Sequence, residues 1–126
     1  FLLENNFEHV SKSRLSEVLE RYGYTAVTVT LTGDYRAIYR RFLARNQSPE
    51  RHRGHVVSDR YPEDGRNGEP PQIPFEAFVA GIAARGMDTF TANGAQITVD
   101  TTDFQSVDKP ALVRQIREIC AAFQDK

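Results

Sequence analysis

Seven of the thirteen arginines fall between Arg36 and Arg60, in the run RAIYRRFLARNQSPERHRGHVVSDR, which contains no lysine. A guanidinium presents planar, forked donors that match phosphate oxygens two at a time, whereas an ammonium acts as a point charge. On a helix starting at Tyr35, the residues Ile38, Tyr39 and Phe42 make an apolar stripe. Arg36 and Arg40 flank that stripe on one side, Arg41 and Arg45 on the other, each pair one helical turn apart. Arg51 and Arg53 extend the second pair into the following loop. Like charges gathered this closely repel unless an anion joins them, which points to phosphate chemistry. The competing reading is a scatter of weak surface ion pairs with Glu50 and Asp59, with the long stems of the other arginines covering the edge of the core.

The segment RHRGH, Arg51 to His55, adds two histidines three residues apart. No second pair of ligands stands at a familiar metal spacing and His9 is distant in sequence, so no metal site is expected. A loop that contacts phosphate or substrate, with Gly54 letting the backbone approach closely, stands against a loop whose histidines are merely solvated. Glu4 follows an apolar run; as a carboxylate it suits a general base for a hydroxyl or a holder of magnesium-bound water. It equally suits helix capping or pairing with Lys12 or Arg14. The stretch Asp100-Thr101-Thr102-Asp103 could border a nucleotide base or simply begin a turn. No GxxxxGK[ST], GxGxxG or nucleophile elbow occurs, so nothing in these residues cradles a triphosphate alone.

These groups need a scaffold, and the periodicities supply one. Phe1–Leu3 reads as the end of a strand and Glu4–Asn6 as a polar turn. An apolar stripe of Val10, Leu15, Val18 and Leu19 predicts a helix from about Glu8 to Tyr22, stopped by Gly23. The β-branched run TAVTVTL, Thr25–Leu31, predicts a buried strand. Asp34 is a good N-cap for a helix over Tyr35–Arg45, followed by loop from Gln47 to Gly54. The region from about 40 to 60 is the candidate lid. The proline- and glycine-rich stretch 61–74 must be irregular, and at that length it is functional or mobile. A helix over Phe75–Arg85, with Phe78, Val79 and Ile82 inward, starts after Pro74. Asn93-Gly94 is a turn, and Gln96–Asp100 a strand. A last helix covers Val107–Phe123, with Leu112, Val113, Ile116, Ile119, Cys120 and Phe123 inward.

Alternating strands and helices predict an α/β fold with a parallel sheet covered on both faces. Ligands of such sheets sit at the carboxyl ends of the strands. The polar residues after Leu3, Leu31 and Val99 would then share one crevice. Three strands make a narrow sheet, and the chain opens on an apolar stub without Met, so further N-terminal strands are expected outside these residues.

Composition sets the bounds. At 126 residues the chain amounts to one domain. A net charge of −1 provides no global field to gather nucleic acid or an anionic membrane. No apolar stretch approaches the ~20 residues that span a bilayer, and FLLENNF lacks the basic start of a signal peptide. The single Cys120 excludes an internal disulfide, reads as a small buried hydrophobe, and suits a reducing, cytoplasmic setting.

The order and spacing of ENNF, VTLTGD, RRFLARN with RHRGH, and VDTTDF resemble the C-terminal part of P-loop kinases. The nearest group is the AAA-type small ATP-binding kinases related to gluconate kinase, chloramphenicol phosphotransferase, zeta-toxin-like kinases and polynucleotide kinases. The likeness spans nearly all of the chain and implies a three-layer αβα sheet of P-loop NTPase type. It implies transfer of the γ-phosphoryl group of ATP to a hydroxyl of a small-molecule or nucleotide-like acceptor. Arg41, Arg45 and Arg51 match lid positions that approach the ATP phosphates, with Arg45 and Arg51 stabilising the transferring group. Glu4 matches the acid that faces the acceptor, and Asn6, His52 and His55 fall where the acceptor is bound. Thr102 and Asp103 match the loop near the adenine. ATP and Mg²⁺ would both need a Walker A segment, which the family carries upstream of the matched region. The rival function is a non-catalytic module that binds nucleic acid or a phosphorylated partner through its arginine loop. The neutral net charge and the lack of lysine and interleaved aromatics in that loop speak against nucleic acid.

Overall fold

A computed structural model of the chain describes residues 1–52, 54–57 and 72–124. In order, the elements are α1 (His9–Arg21), β1 (Ala26–Thr32), α2 (Tyr35–Gln47), the one-turn α3 (Gly54–Val57), α4 (Phe75–Arg85), β2 (Gly94–Asp100), a 3₁₀ turn (Phe104–Ser106) and α5 (Lys109–Gln124). The chain is thus α/β, as the alternation predicts. Arg53, Asp59, Arg60 and positions 61–71 of the 61–74 stretch lie outside the described residues, as does the far end of the expected lid.

β1 and β2 pair in parallel, from Ala26 opposite Gly94 to Thr32 opposite Asp100. Two strands form the sheet among the described residues, not three. Phe1–Leu3 is not a strand: Phe1 and Leu2 are about nine-tenths exposed, at 88% and 91%. A strand exists only through its ladder, and nothing among the described residues pairs with that segment. Phe1 instead sets its ring edge-on to Tyr24, centroids 5.2 Å apart.

The period-two alternation of a strand puts Val27, Val29 and Leu31 on the same sheet face as their partners Ala95, Ile97 and Val99. The other face is polar, with Thr28, Thr30 and Thr32 beside Gln96, Thr98 and Asp100. α5 packs against β1. Its start is capped by Asp108, whose carboxylate accepts from the Ala111 amide at 2.8 Å. The segment entering β2 lies against the threonine face, where the Ala92 amide donates to the Thr28 hydroxyl at 3.1 Å.

Leu19, Ala37, Phe90 and Ile97 are the buried hydrophobic residues of the described chain. Phe90 carries Phe7 stacked on it, centroids 5.2 Å apart. A second apolar cluster joins α2 to α4: Tyr39 and Phe42 meet Phe78, with centroids 5.3 and 5.2 Å away. Tyr39 also meets Phe75 and donates its hydroxyl to the Ile73 carbonyl at 2.6 Å. A two-strand sheet is only about 10 Å wide, roughly one helix diameter. It cannot cover every apolar stripe that the sequence offers. Val10 and Val18 on α1, Leu31 on β1, and Val113 and Cys120 on α5 are therefore exposed rather than inward. No helix among the described residues is long and apolar enough to cross a membrane.

Candidate functional site

The carboxyl ends of the two strands are sewn into one seam. Thr101 uses its amide and its hydroxyl on the same acceptor, the Thr32 carbonyl, at 2.7 Å each. The next residue reaches across as well: the Thr102 hydroxyl accepts from the Asp34 amide at 2.7 Å. Between them sits Gly33, where a Cβ would come within 2.9 Å of the Thr102 nitrogen and 3.1 Å of its Oγ1. Glycine there allows the two turns to touch. Thr101 is the buried polar residue of the described chain, at 6% exposure, and its hydrogen bonds account for that burial.

Both acids of the seam are engaged locally. Asp34 caps α2 by accepting from the Ala37 amide at 2.9 Å, as its position before the helix predicts. Hydrogen bonds from the Thr102 hydroxyl and amide hold the Asp100 carboxyl below the usual carboxylate range, the amide at 2.7 Å. Hydrogen bonding to the charged form is what favours it. Asp103 spends its carboxylate on the Gln105 amide at 3.0 Å, starting the 3₁₀ turn. Among the nominated pair near the adenine, Thr102 is thus a seam residue and Asp103 a turn-former.

The arginines divide by what they touch. Arg41 reaches back from α2 to the seam, donating to the Thr101 carbonyl at 2.6 Å and lying 3.4 Å from its hydroxyl. Arg36 stacks over the Phe75 ring at 4.6 Å, a cation–π contact between α2 and α4. Arg40 and Arg45 are exposed and have no partner among the described residues. Arg51 is half-buried; its Nε, like the Oδ1 of Asn46, is buried and meets no hydrogen-bond partner there.

Glu4 and Asn6 are exposed, and the described chain offers Glu4 no ion pair. Their segment is fixed just downstream. Glu8 pairs with Arg85 at 3.1 Å, and the His9 ring rests on Gly86 with Nε2 3.2 Å from the Thr89 hydroxyl. His52 and His55 face each other edge-on, centroids 6.4 Å apart. His52 Nδ1 accepts from the Gly54 amide at 3.1 Å. No group of three or more His, Cys, Asp or Glu among the described residues could hold a metal ion.

Sequence reasoning missed the Thr101 pin point and a groove of about 350 Å³ between the end of β2 and the start of α5. Val99, Val107 and Leu112 line that groove with apolar surface, and Asp100, Ser106 and Asp108 line it with polar groups. The threonines were visible as a polar patch after a strand; only the parallel register shows that Thr101 meets Thr32. Compared with protein-family models, with curated proteins and with solved structures, the chain matches none.

Proposed function

We propose that the chain is the lid and acceptor portion of a P-loop-type kinase, cytoplasmic, which moves the γ-phosphoryl group of ATP to a hydroxyl of a small-molecule or nucleotide-like acceptor. The observation that carries this reading is the seam at the strand ends together with the arginine helix joined to it. Parallel strands ending in Thr32-Gly33-Asp34 and Asp100-Thr101-Thr102 are tied edge to edge, where ligands of such sheets bind. One turn beyond Arg41, Arg45 is exposed and without a partner among the described residues. The unpaired, buried Nε of Arg51 supplies a further donor that an anion would satisfy.

In this reading Arg45 and Arg51 face the phosphates and offset the charge that builds on the transferring group, which is the main catalytic device of phosphoryl transfer. Glu4 accepts the proton of the attacking hydroxyl; Asn6, His52 and His55 contact the acceptor. Thr102 and Asp103 border the adenine. These residues contain no phosphate-cradling loop, so the Walker A segment, the Mg²⁺ that it would help hold, and the remaining strands of a three-layer sheet come from outside them. Phosphoryl transfer by the full-length protein, followed with γ-labelled ATP over a panel of sugars, nucleosides and polynucleotide ends, tests this. Label appearing in one acceptor supports the reading, and ATP hydrolysis without any acceptor replaces it with an ATPase.

The second reading is a non-catalytic module that binds phosphorylated partners, favoured by the exposed, unpartnered Arg40 and Arg45. Salt discriminates, because binding to a polyanion through released counterions falls steeply with ionic strength. Turnover of ATP needs no such polyanion.

A further inference from the structure

We infer that Arg41 is a positioning residue: it pins α2 to the strand-end seam and leaves phosphate contact to Arg45 and Arg51. This rests on the kinase reading for its functional consequence, but the pin itself stands on geometry alone. The Arg41 guanidinium is committed at 2.6 Å to the Thr101 carbonyl, and charge-assisted bonds of this kind are the strong ones. Its acceptor is rigid, since Thr101 is buried and doubly bonded to the Thr32 carbonyl. α2 has a second attachment seven residues earlier, where the Asp34 amide donates to the Thr102 hydroxyl and the Asp34 carboxylate caps the helix. Two adjacent residues of one turn therefore hold two points of one helix.

A helix held at Asp34 and Arg41 cannot swing as a unit, so the first two turns of α2 belong to the frame. Arg45 stands one turn past the second pin, on the same side of the helix as Arg41. Its placement relative to the seam is thus set by the Arg41 pin on α2 and by no contact of its own among the described residues. Losing the Arg41 pin would leave Arg45 chemically intact but badly aimed.

The experiment compares Arg41→Met, which keeps the stem and removes the donors, with Arg45→Met. Amide exchange is read at Asp34, Ala37 and Thr101, and phosphoryl transfer is followed in the full-length protein. In R41M those three amides should exchange about tenfold faster, a strong hydrogen bond's worth of protection, with Ile97 unchanged. kcat should fall while the KM for ATP stays within about twofold, as for a distant screened charge. R45M should lower kcat without touching exchange. Unchanged exchange in R41M, or a raised ATP KM with seam amides still protected, would make Arg41 a phosphate ligand and overturn the inference. Should R41M not fold, Arg41→Lys keeps one donor for the Thr101 carbonyl, so the seam amides should stay protected with the ATP KM unchanged; a raised ATP KM with those amides protected would overturn the inference. If the wild-type protein transfers no phosphate, the kinase reading fails and the exchange result alone decides the pin.

Discussion

The Asp34 amide and the Thr102 hydroxyl lie 2.7 Å apart across 68 residues of sequence, joining the turn after β1 to the turn after β2. Because Thr102 also holds Asp100, one hydroxyl organises both strand ends. Replacing Thr102 with Val should destabilise the fold by about 0.5–1 kcal/mol through loss of this exposed hydrogen bond. Thr102→Ser should recover most of that. Urea titration of the two variants measures it.

Acid stability should report on Asp100. Its folded-state carboxyl titrates below the unfolded value, held there by Thr102. Its contribution is present above the ordinary carboxylate range near pH ~4, and is lost as pH falls through the lowered folded value. Asp100→Asn keeps an oxygen for the Thr102 amide and should flatten the acid limb of a stability–pH curve; an unaltered limb would remove Asp100 from the seam's electrostatics.

At the alkaline end the sign reverses. The Tyr35 phenol donates to Asp88 at 2.9 Å. That hydrogen bond, then burial and the Asp88 charge, raise its pKa. The contribution is full below about pH 10, the free phenol value, and disappears as pH rises through the higher folded value. Tyr35→Phe should cost under about 1 kcal/mol at neutral pH, this pair being solvent-accessible. It should also abolish the extra loss above pH ~10.

Gly86 ends α4 at φ +65°, and a Cβ there would run into the His9 ring. Gly86→Ala should lose about 1–2 kcal/mol from left-handed strain and displacement of the ring. Adding His9→Ala should return the steric part and leave the strain. A double-mutant cycle with equal penalties in both backgrounds would show that the ring does not matter.

Local chemistry explains which elements were legible in the sequence. The Asp34 cap, the Gly23 stop and the helix over Phe75–Arg85 depend on near neighbours in the chain, and all appear as expected, as does β1 within one residue at each end. What failed depends on distant partners. Among the described residues, Phe1–Leu3 has strand composition but no ladder, and Val10, Val113 and Cys120 have helical spacing but remain exposed. In the candidate site, the arginine spacing and the polar strand ends were readable. The division of labour was not: that Arg41 spends its donors on Thr101, while Arg45 has no partner among the described residues, requires knowing that β1 and β2 are neighbours in parallel register.

The measurement closest to the central claim is steady-state phosphoryl transfer from ATP by the full-length protein and its Arg45→Ala variant. The expected result is ATP-dependent labelling of a hydroxyl acceptor, with kcat reduced about 100-fold or more in the variant and acceptor KM little changed. Equal kcat in the two proteins would remove the lid role from Arg45, and absence of transfer to any acceptor would contradict the kinase reading itself.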